Sequence, residues 1–191
     1  MKRLLVVWCP GLLVEEETGR QARALARVRT AVEGFSPAVE VVRAGVCAVP
    51  TRGPSRYFGG DRTLADLVAQ SVAAVVDAAG ETGVDAGIGI ADGLFAAAVA
   101  ARASVGHDPV VVPAGQSAAF LAPWPVAVLE RPELAELLVR LGISTLGRFA
   151  AVPDGHVLAR FGADGAAVHR VAMGVDGELP GLRAVPARRA A

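Results

Sequence analysis

Two glycine-centred turns, each set between short amphipathic helical stretches, constrain the C-terminal half of this chain more than any other feature: RLGISTLG at 140–147 and RFGADGA at 160–166. A glycine free to take positive φ ends one helix, and the next begins with backbone N–H groups that no preceding turn accepts, which is a ready anion site. Two readings follow. In one, the turns are helical hairpins packed by Leu137, Leu138, Leu141, Leu146 and Phe149 and nothing more. In the other, the N–H groups of Gly142, Ile143 and Ser144, and of Gly162, Ala163 and Gly165, meet phosphates beside Arg140, Arg148, Arg160 and Arg170. Two such turns in tandem favour nucleic acid as the polyanion. Asp164 is discordant, since a carboxylate repels phosphate unless it caps the helix.

The 191 residues carry nineteen basic and nineteen acidic side chains, so no net charge draws the whole molecule to a polyanion. Any DNA contact is local. From Glu133 onward Arg140, Arg148, Arg160, Arg170, Arg183, Arg188 and Arg189 face Glu133, Glu136, Asp154, Asp164, Asp176 and Glu178. That balance predicts weak, salt-sensitive binding. Hydrophobic residues make up 53% of the chain and the mean hydropathy is +0.45, an excess owed largely to Ala and Val. The longest apolar run, LFAAAVAA at 94–101, falls well short of the about 20 residues a spanning helix needs, so no membrane contact is expected. The opening MKRLLVVWCPGLLVEEE resembles a leader, but Pro10 and Gly11 break it and no small-x-small cleavage site follows. Two cysteines build no disulfide framework and no Cys/His spacing suits zinc, which fits a reducing cytoplasm.

Upstream of the turns the pattern alternates between strand and helix. Residues 4–8 read as a buried central strand, and 16–33 as an amphipathic helix with Leu25, Val28 and Val32 inward. Residues 39–49 read as a strand pair or one bent strand around Ala44-Gly45, and 50–60 as an irregular loop carrying Arg52, Arg56, Tyr57 and Phe58. A helix is expected over 62–78, then a strand over 84–90. Asp92 would cap a further helix reaching Arg102, whose small residues suit close packing on a sheet. A last short strand falls at 110–112. The fold class expected is α+β: a mixed sheet with helices on one face, joined to a small helix-hairpin-helix domain. The domains would be an α/β unit at 1–113, a proline-rich linker at 114–132, helices at 133–177 and a disordered tail at 178–191.

Four strings, taken in order, resemble the Y-family of translesion-type DNA polymerases: GPSRYFGG at 53–60, GIGIADGLFAAAVAAR at 87–102, FLAPWPV at 120–126 and LGI/TLG within 141–147. The branch most similar is the ImuB-type proteins of bacterial damage-induced mutagenesis, in which strings like WCP near the start also recur. The resemblance spans 35–174 plus the first strand. It implies a palm-like sheet and a thumb-like helical module. Polymerase chemistry in that family needs carboxylates at the end of the first strand and on the palm hairpin, holding two magnesium ions. The corresponding windows here are Trp8-Cys9-Pro10-Gly11 and Arg43-Ala44-Gly45-Val46, and neither holds a carboxylate.

The resemblance therefore implies no catalytic residue, no bound metal or other cofactor, and no polymerase activity. With only 12–19 between the first strand and the first helix, the fingers are expected to be missing, and the chain stops before a little finger. The implied partners are primer-template DNA bound without sequence preference, a sliding clamp, a RecA-like accessory protein and an error-prone replicative-type polymerase. The alternative is an active nucleotidyl transferase whose carboxylates lie elsewhere, among Asp61, Asp85 and Asp92.

The remaining residues carry weaker signals. Trp8-Cys9 superficially resembles a WCxxC redox pair, but position 12 is Leu, so both Cys9 and Cys47 are expected to pack as small apolar side chains. Glu15, Glu16 and Glu17 point in different directions on a helix, which suits a solvated first turn better than a metal. His107, His156 and His169 share no metal spacing and read as surface residues. Arg52 and Arg56 with Tyr57 and Phe58 either grip a single strand by phosphate contact and base stacking, or simply close the edge of a core.

Overall fold

A computed structural model of the chain describes residues 1–12, 19–78 and 85–175. The acidic triplet 15–17, most of the short connection 12–19, the first residue of the strand expected at 84–90 and the tail 178–191 lie outside the described residues.

The central strand β1 (Arg3–Trp8) is apolar on both faces and pairs antiparallel with β3 (Val46–Pro50) on one side and β4 (Gly87–Asp92) on the other. Outside these lie β2 (Glu40–Arg43), antiparallel to β3, and β5 (Val110–Val111), parallel to β4, giving the order β2-β3-β1-β4-β5. The sheet is mixed, as expected. The turn between β2 and β3 uses Gly45 at φ 71°, where a side chain would be strained.

Alternation assigns the two faces. Leu5, Val7, Cys47, Val49, Ile88 and Ile90 pack with Val28 and Val32 of α1 (Gly19–Glu33) and Leu64, Val68 and Val72 of α3 (Asp61–Ala78). Val6, Trp8, Val46, Ala48 and Ala91 face α4 (Leu94–Ala103). The expectation of helices on one face is therefore corrected: the sheet is covered on both. The string GIGI of β4 states why α4 can lie so close. Its isoleucines point to α1 and α3, while Gly87 and Gly89 turn toward α4, where a Cβ would run into the backbone of Ala97, Ala100 and Ala101. Ser104 locks this contact, its buried Oγ accepting from Ile88 N–H (2.7 Å) and donating to Ile88 C=O (2.9 Å).

Residues 52–58 form a helix, α2 (Arg52–Phe58), rather than the irregular loop expected from their glycines and proline. Pro54 sits in the first turn, where its missing N–H costs nothing, and Gly59 at φ 88° closes the helix in the left-handed region. Asp92 does not cap α4; that position is Gly93, and the Asp92 side chain turns elsewhere. Nor is 114–132 a spanning linker. It forms α5 (Ser117–Leu121) and a 3-10 turn (Val126–Leu129), and Leu121, Val126 and Leu129 share one core with Leu138, Leu146 and Phe149. Its prolines mark element ends: Pro125 precedes the 3-10 turn and Pro132 opens α6 (Pro132–Arg140). The helical part continues with α7 (Leu146–Ala150) and α8 (Asp154–Ala172).

Both cysteines are buried, and burial pushes the thiols up, Cys9 to about 12 and Cys47 to about 11. A thiol reagent at pH 8 should leave both unmodified in the folded chain and label both once denaturant is added. Rapid labelling without denaturant would contradict this burial.

Candidate nucleic-acid interface

The two windows that lack carboxylates meet in space. Trp8 pairs with Val46 and with Gly87, and the Cys9 N–H donates to Gly45 C=O (2.8 Å), so the end of β1 abuts the β2–β3 turn. Two arginines gather there. The Arg43 guanidinium lies 4.7 Å from the centre of the Trp8 ring and that of Arg102 lies 5.0 Å from it. Both bind Glu130: Arg43 through Nη1 and Nη2 at 2.7 and 3.1 Å, Arg102 through Nη1 at 2.9 Å. The Arg43 guanidinium foremost, with Arg102, holds the Glu130 carboxyl below the usual range against the opposing effect of its partial burial.

A divalent cation needs several hard oxygen ligands. Here the windows offer Trp8, Ala44 and Gly45, and the neighbouring carboxylate is already spent on two guanidinium groups. The residues do not fit a magnesium pair. Among the described residues no group of three or more His, Cys, Asp or Glu side chains comes together to hold a metal. Sequence reasoning missed this cluster because its members stand at 8, 43, 102 and 130; the hairpin register pairs Arg43 only with Val46, and it is the β1–β3 pairing that brings Trp8 beside them.

Asp61 and Asp92 do converge, at the other end of the sheet, but around a cation of their own. Arg3 donates to Asp61 through Nε (2.5 Å), to Asp92 through Nη1 (3.1 Å) and to Val112 C=O through Nη2 (2.6 Å). Ser55 Oγ takes the other Asp61 oxygen, and the Gly115 N–H takes the other Asp92 oxygen at 2.6 Å. These carboxylates are committed to binding the first strand to α2, α3 and the segment after β5. Asp85 is exposed on the approach to β4 and joins neither.

The first glycine turn has the expected backbone and a different use. Gly142 takes φ 79°, and its N–H donates to Val139 C=O (2.9 Å) while the Ile143 N–H donates to Leu138 C=O (2.9 Å), the closure that ends α6 on itself. The first N–H groups of α7 are spent too: Leu146 on Trp124 C=O (2.8 Å), Gly147 on Ala122 C=O (2.9 Å) and Arg148 on Thr145 Oγ1 (3.3 Å). The expectation that Gly142 and Ile143 offer N–H groups to phosphate is thus corrected, because the turn needs them. Ser144 is exposed, and its C=O accepts from the Val126 N–H (3.0 Å). Arg140 and Arg148 are exposed, Arg148 also reaching Gly142 C=O at 3.1 Å.

At the second turn the helices are continuous but for a break at Gly162, with φ 68° and ψ −166° inside α8. Gly162, Ala163 and Asp164 are exposed, as are Arg160 and Arg170. Gly165 is buried, and a Cβ there would strike Phe161, so its role is packing rather than the phosphate contact expected. His169 is likewise no surface residue. It is buried edge-on against Phe149 (5.0 Å), with Nδ1 3.2 Å from Asp154 Oδ1 across the break, whereas His107 and His156 are exposed. Arg52, Arg56 and Tyr57 are exposed on α2, which follows the Pro50 end of β3. That is the end of the sheet away from Trp8 and Arg43. No described helix is long and apolar enough to cross a membrane.

No protein-family profile matches the chain. It is 32% identical over 144 residues to DNA polymerase IV of Dehalococcoides mccartyi (strain CBDB1), covering 74% of this chain and 35% of that protein. It is 34% identical over 130 residues to Protein ImuB of Caulobacter vibrioides (strain NA1000 / CB15N), covering 67% of this chain and 26% of that one. The fold is similar to that of a DinB family error prone DNA polymerase from Sulfolobus solfataricus, with a TM-score of 0.68 at 12% identity over 92% of this chain and 67% of that structure. It is also similar to the Dbh DNA polymerase in an insertion ternary complex, with a TM-score of 0.63 at 15% identity over 82% and 45%. The chain spans about a third of the length of the curated relatives it matches. Its five-stranded mixed sheet matches the palm of those polymerases, and in sequence and fold the chain is similar to the DinB-like Y-family.

Proposed function

We propose that this chain is a non-catalytic Y-family member that binds primer-template DNA without sequence preference and serves as a scaffold in translesion synthesis and damage-induced mutagenesis. One observation carries the reading: a palm-like sheet and the glycine turns are present, while the two windows hold Trp8 and Arg43 and no carboxylate, with Arg102 of α4 beside them. DNA contact falls to the exposed arginines of the helical part, Arg140, Arg148, Arg160 and Arg170, and to the backbone at Ser144 and around Gly162 and Ala163. Arg52 and Arg56 with the exposed ring of Tyr57 would add a separate single-strand contact. The near balance of charge makes that binding weak and dependent on salt. A clamp, a RecA-like accessory protein and an error-prone replicative-type polymerase are the partners that fit, and the cytoplasm is the compartment.

Titration against duplex, primed and single-stranded DNA tests the reading. The Arg160→Glu/Arg170→Glu double variant should bind primed DNA at least about tenfold more weakly, with a shallower salt dependence, while unfolding at an unchanged denaturant concentration. Unchanged affinity would remove the α8 break from the interface. The second reading, an active transferase, is favoured by the convergence of Asp61 and Asp92. Template-dependent primer extension with Mg²⁺ or Mn²⁺, abolished by Asp61→Asn or Asp92→Asn, would establish it in place of the first.

A further inference from the structure

We propose that Arg43 and Arg102 form a phosphate site that the Glu130 carboxylate occupies in the free chain. The cluster sits on the sheet rather than on the glycine turns, and it does not rest on the DNA-binding reading.

Three observations point to an exchangeable anion. First, two guanidinium groups converge on one carboxylate, leaving a net positive charge beside a side chain, Trp8, that is 5% exposed. Planar guanidinium forks suit phosphate as well as carboxylate, and the more highly charged anion gains more from both. Second, the donors are not all used. Glu130 engages the two terminal nitrogens of Arg43, while the buried Arg43 Nε has no hydrogen-bond partner among the described residues. A carboxylate has two oxygens to give; a phosphate brings a third, which is what this arrangement lacks. Third, Glu130 is held in an unfavourable backbone state, φ 54° and ψ 37°, the non-glycine residue at positive φ among those described. Such a conformation persists where the surroundings impose it. The 3-10 turn imposes it, the Glu130 N–H donating to Ala127 C=O (3.2 Å), so the backbone stays in place and departure of the carboxylate is a swing of the side chain alone. The cluster is also reachable: the side chains of Arg43, Arg102 and Glu130 are 28%, 37% and 39% exposed.

Inorganic tripolyphosphate is the probe, read by Trp8 fluorescence in a Trp124→Phe background and checked by calorimetry. The chain should bind it saturably and less tightly as salt rises. Glu130→Gln removes the competing charge but keeps the shape, and should tighten binding by about tenfold, the worth of one charge-assisted hydrogen bond set. Arg102→Gln, at an exposed position, should weaken it by a similar factor, and Arg43→Gln/Arg102→Gln should abolish it. Oligonucleotides with and without a 5′-phosphate separate the sources: preference for the phosphorylated one assigns a terminal phosphate, equal binding assigns the phosphodiester backbone. Far-UV circular dichroism confirms that each variant is folded. If Glu130→Gln binds tripolyphosphate no better than the parent, or Arg102→Gln binds it equally well, the site does not exist.

Discussion

Replacing Gly89 by valine is expected to unfold this chain or leave it at the edge of folding. The reason is geometric. A Cβ at Gly89 would lie 2.7 Å from the Ala100 carbonyl carbon and closer still to Ala101 N and Ala97 O, all backbone atoms of α4. Backbone cannot swing aside as a flexible side chain can, so the helix has to lift from the sheet. Lifting it would part Ser104 from Ile88 and open the row Ala96, Ala97, Ala100 and Ala101, each of which is buried. Overpacking a core ordinarily costs about 1–3 kcal/mol, and a clash with rigid backbone belongs at or above the top of that range. A domain of this size has about 5–15 kcal/mol in hand, so the urea midpoint should fall by a large fraction of its value. Gly53→Ala is the control: nothing lies within 4 Å of a Cβ there, the site is helical, and the midpoint should hold or rise slightly. A Gly89→Val chain that unfolds at the parental urea concentration would show that α4 does not press on the glycine face.

That contact was readable in the sequence, in the run of alanines and in the alternation GIGI, because both record a local period. The buried, central character of β1, the turn at Ala44-Gly45 and the closing of α6 at Gly142 were readable for the same reason: turn chemistry and periodicity act over a few residues. What failed was of two kinds. The glycines and proline at 53–60 read as breakers, although a proline in a first turn and a glycine just past a last turn are what a short helix uses. The rest depended on partners far along the chain. Asp92 is eighty-nine residues from Arg3, and Glu130 eighty-seven from Arg43, and nothing near either acid announces its partner. His169 reads as a surface group in the sequence because no periodic signal marks a histidine that packs on Phe149. The N–H groups of Gly142 and Ile143 read as free in the sequence because a sequence shows that a helix ends but not which acceptors its end finds.

The Arg3 cluster yields the second large effect, one that changes with pH in a defined direction. Arg3→Met keeps the side chain's length and apolar stem but leaves Asp61 and Asp92 without the cation between them. Removing one partner of a fully buried pair costs about 3–5 kcal/mol; here the Arg3 side chain is 18% exposed, so about 2–3 kcal/mol is the expectation at pH 7. Burial by itself would push the Asp92 carboxyl up, but the Gly115 N–H and the Arg3 guanidinium outweigh it and hold it below its ordinary value. A carboxyl depressed in the folded state contributes stability that is fully present above the unfolded pKa, about 3.9, and is lost as the pH falls through the lower folded value. Arg3 stays charged throughout, its own pKa raised: burial opposes the charge, but the bonds to Asp61 and Asp92 outweigh it. The gap in urea midpoint between parent and Arg3→Met should therefore be wide at pH 7 and narrow toward pH 3, as Asp92 becomes protonated and no longer needs the cation. Asp92→Asn should show the same convergence from the other side, since it removes the titrating group and leaves Arg3 in place. A gap as wide at pH 3 as at pH 7 would mean that Arg3 holds the sheet end through packing and the Val112 carbonyl rather than through charge.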